Sequence, residues 1–416
     1  AARAAPDAAR AALSRRGAHD AFDAALEADA RARKLRAAVE TAQAERKKLS
    51  KEVGRLRARG EDSTAIEAEA RRIGDAIEAD EQALGTAESE RDALLLPIPN
   101  LPDDDAPDGG EGDAVELRRG GTLPEFDFPV KDHVDIGTAL GIIDLERAAR
   151  VSGARFAYLM GPLVRVQMAL VSFVIDRLEG EGFLPVIPPV LVREEAMLGT
   201  GFFPTDRSSI YETAADDLFL VGTSEVPLAG LHLDDIVNAE DLPLRYAGMS
   251  TCFRREAGAA GKDTRGIFRV HQFDKVEMFS FAHPERSADE HLFLLSQQEA
   301  ILGELGLHWR VVDIPLGDLG ASAARKFDCE AWLPGQERFR EVTSCSNCTG
   351  YQARRLRARM RAEKRTETLH TLNGTAVAVG RTLIALLETH QRSDGSVAVP
   401  EALQAHGAPA ELAPPS

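Results

Sequence analysis

Between residues 22 and 96 apolar side chains recur at heptad spacing, and no other feature restricts the fold of this chain so tightly. Leu35, Val39, Ala42, Leu49, Val53 and Leu56 fall on the a and d positions of one run, and Ile66, Ala70, Ile73, Ile77, Leu84, Ala87 and Leu94 on those of a second. Each run lines a single helical stripe, which is stable only against a partner stripe. The intervening Arg59-Gly60-Glu61-Asp62-Ser63 is rich in turn formers. The pattern therefore predicts an antiparallel coiled-coil hairpin, with arms of roughly 35 residues that extend about 50 Å.

The outgoing arm is strongly one-signed. From residue 31 to 59 eleven Lys and Arg stand against three Glu, on a chain of formal net charge -17. Arg36, Lys47, Lys48, Lys51 and Arg55 are the candidates for phosphate contact. A solvated helix face and a nucleic-acid backbone as partner account for this run equally well.

With 416 residues, 44% hydrophobic and 28% charged, the chain has the composition of a soluble globular protein with room for two domains. It contains no apolar run near the ~20 residues of a membrane helix, so no membrane partner is expected. The Ala- and Arg-rich N-terminus contains Asp7 and Asp20, which favours a small helix pair over a transit peptide. Four cysteines do not make a disulfide framework. Cys345 and Cys348 have metal-like spacing but no second pair to complete a tetrahedral set, so no zinc is expected.

Residues 97–122 are rich in Pro, Gly and Asp and are predicted to be a linker, with 1–96 forming an N-terminal domain. From 123 to 400 strands and helices alternate without a regular βαβ rhythm. That pattern predicts an α+β domain on an antiparallel sheet with flanking helices. Residues 401–416 have the composition of a C-terminal tail.

Neither a GxxxxGK[ST] loop nor a GxGxxG turn is present, so a nucleotide would be held by side chains. The segment CFRREAG places Arg254 and Glu256 two residues apart, on one face if the segment is a strand. One could grip phosphate while the other accepts from a base amine. In the partner segment Arg269 and Phe273 would return to that face, the ring being available for stacking. Asn373 to Thr382 reads as a small-residue strand leading into a helix from Leu383, with Arg381 at the junction. Glu341-Val342-Thr343-Ser344 offers a carboxylate and a hydroxyl, oxygen ligands of the kind Mg²⁺ takes together with nucleotide phosphates.

CFRREAGAAGKDTRGIFRVHQFDKVEMF resembles motif 2 of the class II aminoacyl-tRNA synthetases, in the form found in the seryl-tRNA synthetase family. GFLPVIPPVLV, after a long helix from about Pro162, resembles the dimerisation motif 1, and the segment around Arg381 resembles motif 3. GTSEVPL at 222–228 resembles the TxE loop of the seryl enzymes, and the basic hairpin their tRNA-gripping arm. Thr375 stands where many members carry Ser, and Ser224 where Ala is commoner.

The resemblance implies a cytoplasmic homodimeric enzyme that uses ATP and Mg²⁺ to activate L-serine and loads it onto tRNA(Ser), with tRNA(Sec) as a further acceptor. It implies catalytic roles for Arg254 and Arg381, and a serine site of Thr223, Ser224, Glu225, Arg254, Glu277, Asn373 and Thr375. The implied ATP site comprises Arg254, Arg255, Glu256, Arg269, Val270, Phe273, Arg381 and the run Glu341, Val342, Thr343 and Ser344, with Glu341 and Ser344 as the Mg²⁺ ligands. A specialised duplicate serving antibiotic resistance or biosynthesis would keep every one of these motifs, and a serine:carrier-protein ligase would keep all but the arm.

Overall fold

The computed structural model describes residues 3–257, 261, 263–363 and 365–414, which divide into a unit up to Leu101 and a unit from Pro102. The first unit consists of helices α1 (Pro6–Ser14), α2 (His19–Ala58) and α3 (Thr64–Leu95). Each of the heptad residues named above is buried or half-buried, so the stripe does pack as a seam. The turn at 59–63 is built by Gly60 at φ +72° and by the Asp62 carboxylate, which accepts from the Thr64 backbone N–H at 3.0 Å. Helix α2 runs for 40 residues, about 60 Å at 1.5 Å per residue. It exceeds the expected arm because it continues below the heptads, where Phe22 and Ala25 pack on Ala9 and Leu13 of α1 and on Ile98.

The second unit is organised on an eight-stranded sheet. In chain order its strands are β1 (Val115–Gly120), β2 (Leu184–Val186), β3 (Leu244–Phe253), β4 (Gln272–Ala282), β5 (Trp309–Asp313), β6 (Arg325–Leu333), β7 (Arg338–Thr349) and β8 (His370–Ala378). The spatial order is β1-β5-β6-β7-β8-β4-β3-β2, antiparallel throughout except for the β2–β3 pair at one edge. Helices α4 (Pro162–Gly180), α5 (Glu225–Ala229), α6 (Ser287–Glu304), α7 (Tyr351–Leu356) and α8 (Val379–Thr389) accompany it. Pro162 starts α4 at a position where its missing N–H costs nothing. Leu163, Val166, Leu170, Val174 and Leu178 then bury one face of that helix at helical spacing. They share a core with Val276 of β4, Leu372 of β8 and Leu383 and Leu387 of α8.

Several expectations change. The segment 97–122 is not merely a linker: Val115–Gly120 forms edge strand β1 against β5. Ala106 is buried with Val312 and Ile314, and Pro107 O accepts from Leu316 N at 2.9 Å. Of the expected tail 401–416, the described residues 401–414 are not loose either. Leu403 and Leu412 are buried in the main core, and Glu411–Leu412 pairs with Val397–Ala398. Strand β3 ends at Phe253, so Arg254 and Glu256 are not strand neighbours; Glu256 turns the chain at φ +53°. Strand β8 ends at Ala378, and Arg381 already lies in the first turn of α8. Between Glu256 and Arg269, residues 258–260 and 262 lie outside the described residues.

Candidate active site

A single open cavity gathers side chains from β4, β7, β8, α5, the start of α8 and the segment that follows β3. Antiparallel pairing explains how such distant segments meet. Glu277 of β4 lies opposite Thr375 of β8 across a bulge, and Gly374 of β8 lies opposite Cys345 of β7. A Cβ on Gly374 would come within 2.9 Å of the Cys345 Cβ, so only glycine permits that approach.

One end of the cavity is buried and polar. Thr223, Glu225, Lys275, Glu277, Asn373 and Thr375 are all at most 9% exposed. Lys275 Nζ donates to Thr223 Oγ1 at 2.6 Å and forms an ion pair with Glu277. The Thr375 hydroxyl reaches Glu277 Oε2 at 3.4 Å, and Asn373 Nδ2 donates to Glu225 Oε1 at 3.0 Å. Burial, reinforced by the nearby Glu277 carboxylate, pushes Glu225 up to about 7 against the opposing pull of Gln352, Lys275 and Arg254.

The other end is rich in arginine. Arg254 Nε donates to Gly222 O at 3.0 Å, and its guanidinium lies 5.3 Å from the Phe273 ring centroid. Arg269 pairs with Glu256 at 2.7 Å. Phe268 is flanked by two guanidiniums, Arg340 at 3.7 Å and Arg381 at 4.7 Å from its centroid. Arg381 also bonds Glu341 twice, through the backbone carbonyl at 3.1 Å and the carboxylate at 3.2 Å. Burial works against the Glu341 charge, yet Arg381, Lys326 and Arg254 together hold it down to about 2.

Four cations (Arg254, Arg269, Lys275, Arg381) and four carboxylates (Glu225, Glu256, Glu277, Glu341) line this cavity. Three of each are paired as above: Arg269 with Glu256, Lys275 with Glu277 and Arg381 with Glu341. Arg254 and Glu225 are left with no ion-pair partner among the described residues. A buried carboxylate and a guanidinium in one cavity present a complementary pair of charges to a zwitterion.

Of the expected serine and ATP residues, Val270, Val342, Thr343 and Ser344 also line the cavity, while Ser224 and Arg255 do not. Ser224 is buried with Oγ 3.3 Å from Gly248 O, and Arg255 is exposed, its backbone N–H bonded to Ser209 O at 3.0 Å. Lys275 and Phe268 line the cavity and were not among the candidates. Lys275 was within reach of the sequence pattern, since it stands two residues from both Phe273 and Glu277 on one strand face. In the hairpin Arg36 and Arg55 form ion pairs with Glu88 and Glu52, whereas Lys47, Lys48 and Lys51 are exposed with no ion-pair partner among the described residues.

Among the described residues no group of three or more His, Cys, Asp or Glu could hold a metal. Glu341 and Ser344 nonetheless fit a Mg²⁺ ion that takes its other ligands from phosphate and water. One is a carboxylate held ionised, the other a hydroxyl three residues on, and both are half-buried at the cavity wall.

Residues 2–102 match the seryl-tRNA synthetase N-terminal domain, and residues 209–390 match the class II tRNA synthetase core domain (G, H, P, S and T). The Serine--tRNA ligase of Acidothermus cellulolyticus is 52% identical over 382 residues, 92% of this chain and 90% of that protein. That of Nocardia farcinica is 48% identical over 96% of this chain and 94% of its own. The crystal structure of seryl-tRNA synthetase from Pyrococcus horikoshii complexed with ATP superposes with a TM-score of 0.94 at 39% identity, over 100% of this chain and 98% of that one.

Proposed function

The chain belongs to the seryl-tRNA synthetase family and its reaction is that of a serine–tRNA ligase; we propose that Arg254 and Glu225 together orient the serine zwitterion for attack on ATP. The observation that carries this reading is that these two alone, among eight charged residues of the cavity, lack an ion-pair partner among the described residues. Glu225 takes the ammonium group and Arg254 the carboxylate. The hydroxyl meets Glu277 and Thr375, whose own contact at 3.4 Å is loose enough to open to it.

A serine carboxylate oxygen then attacks the α-phosphorus of ATP. The bond to the bridging oxygen breaks, and seryl adenylate and pyrophosphate form. A hydroxyl of the terminal ribose of tRNA next attacks the seryl carbonyl and expels AMP. Both nucleophiles belong to the substrates, so the protein contributes position and charge. Phe273 and Glu256 hold the adenine, Arg254 spans the serine carboxylate and the α-phosphate, and Arg269 and Arg381 take the outer phosphates. Glu341 and Ser344 hold Mg²⁺, which neutralises phosphate charge when bound.

The lysines of α2 grip the tRNA, in the cytoplasm where it is charged. A second copy of the chain covers the element that resembles motif 1. This element leaves Leu184 of the edge strand β2 60% and Ile187 86% exposed, and the helix α4 before it leaves Met168 64% exposed.

Pyrophosphate exchange over a panel of amino acids tests the serine end. Alanine would offer no hydroxyl to Glu277 and Thr375, leaving buried bonding capacity that serine fills. Discrimination in kcat/KM should therefore reach about 10⁴ or more, and exchange with alanine within about tenfold of serine would remove the pocket assignment.

A further inference from the structure

We infer that Gln352 is a positioning residue for the serine ammonium: held in one orientation by Thr371, its amide fixes which oxygen of Glu225 faces the amino acid. This rests on the reading of Glu225 as the ammonium contact.

Gln352 lies on α7, is 0% exposed, and is separated from Glu225 by 127 residues of chain. Its Nε2 donates to Glu225 Oε1 at 2.7 Å and to Thr200 O at 3.2 Å. Its Oε1 accepts from Thr371 Oγ1 at 2.8 Å. Turning the amide over would set its carbonyl against a carboxylate and a backbone carbonyl, with no donor for either. Thr371 is itself 0% exposed and has no solvent alternative. The three buried groups therefore permit one arrangement.

Strand β8 extends the same logic. Thr371, Asn373 and Thr375 share one face at the strand's period of two. Thr375 reaches Glu277, Asn373 reaches Glu225 directly, and Thr371 reaches Glu225 through Gln352. Both amides bond the same oxygen, Oε1, and no described residue donates to Oε2. The carboxylate is thus pinned on one side and presents its other oxygen to a substrate cation.

The two donors also favour the ionised form of a carboxylate that burial works to neutralise. The titratable groups facing Glu225 are Glu277 and Lys275 of β4, Arg254 after β3, and the buried Cys348 thiol of β7. Glu277 opposes ionisation, while Lys275, Arg254 and the Gln352 amide support it. An ammonium ligand needs the carboxylate, so kcat/KM for serine should fall as pH drops through about 7. Losing an amide that favours the charged form moves that acid limb to higher pH.

The experiment is pyrophosphate exchange with the full-length enzyme, with serine varied at saturating ATP from about pH 6 to pH 9. Gln352→Leu should raise the serine KM about tenfold, the size of a lost hydrogen bond to a charged group. It should shift the acid limb upward and leave kcat and the ATP KM within about twofold. Thr371→Val keeps the shape of the core and should shift the limb in the same direction by less. If Gln352→Leu fails to fold, the Thr371→Val profile decides. Glu225→Gln separates the two layers of argument. If it raises the serine KM while neither Gln352→Leu nor Thr371→Val moves KM or the limb, Gln352 has no positioning role and the ammonium site stands. If Glu225→Gln leaves the serine KM unchanged, the ammonium site itself is misassigned. A rise in the ATP KM equal to that for serine would mark Gln352 as a general structural residue and overturn the inference.

Discussion

The hairpin and the cavity are both crowded with charge, but in opposite physical settings. On α2 and α3 the cations stand in water: Arg31 and Glu90, 2.6 Å apart across the seam, are each about half exposed. In the cavity Lys275 and Glu277 are nearly sealed, at 6% and 2% side-chain exposure. Water screens the first kind of pair to little net value, whereas a buried charge that loses its partner is left desolvated. The hairpin can therefore vary its charges one at a time, and only their sum matters to a polyanion. In the cavity six of the eight charges have assigned partners, and on the proposed reading the two without one receive their counter-charges from the ligand.

The sharpest way to break this contrast is to remove Arg254. If it spans the serine carboxylate and the α-phosphate as proposed, its contact strengthens as charge builds, and Arg254→Ala should lower kcat of pyrophosphate exchange by about 10² to 10³. Arg254→Lys should not rescue it, because an ammonium cannot make a forked contact to two oxygens. Arg381 is already tied to Glu341 and stacked on Phe268. It should hold ATP alike in ground and transition states, so Arg381→Ala should mainly raise the ATP KM. Steady-state kinetics at saturating serine separate the two. If the two variants exchanged these effects, the roles would be reversed.

The same contrast governs what the sequence makes legible. The hairpin is visible because its signal is local: buried apolar residues such as Val39 on α2 and Ile77 on α3 belong to runs that recur every three or four residues. The polar residues of the cavity could be found because motif-like clusters keep them together, as in Thr223 and Glu225 or Asn373 and Thr375. Three kinds of feature stay hidden. Strand β1 is exposed along nearly its whole length, so it has no apolar period, and its partner Trp309–Asp313 comes about 190 residues later. Leu403 and Leu412 sit in a segment of tail-like composition and are buried only because the main core receives them. Gln352 has no local signature at all, because its importance arises only when α7 is folded beside α5. Pairing of separated segments by the sheet, rather than local propensity, decides such residues.

A smaller effect sharpens the hairpin side. Lys47, Lys48 and Lys51 lack ion-pair partners among the described residues, whereas Arg55 is engaged by Glu52. Neutralising the three lysines together should lower the slope of log K against log salt for tRNA binding by about 2 to 3, since each phosphate contact contributes roughly 0.7–0.9. Adding Arg55→Gln should change it less than any one lysine does. Serine-dependent pyrophosphate exchange should be unaffected in all of these variants. An unchanged slope in filter-binding titrations would return the basic arm to an ordinary solvated face.

The smallest expected effect belongs to the hairpin's own ion pairs. Arg31 donates to Glu90 across the seam at 2.6 Å, with both side chains open to solvent. Attraction in water is offset by the cost of ordering two long side chains, so exposed pairs of this kind contribute about 0.2–1 kcal/mol. A double-mutant cycle of Arg31→Ala and Glu90→Ala, read by denaturant unfolding, should give a coupling energy in that range that shrinks further as salt is raised. The heptad residue Val39, buried at 5% exposure, provides the internal comparison: Val39→Ala removes apolar contact from the seam, and its cost should exceed the coupling energy and persist in high salt. If the Arg31–Glu90 coupling were the larger of the two and insensitive to salt, the seam would be held together by its charges. The distinction between a solvated hairpin and a buried cavity would then have to be drawn elsewhere.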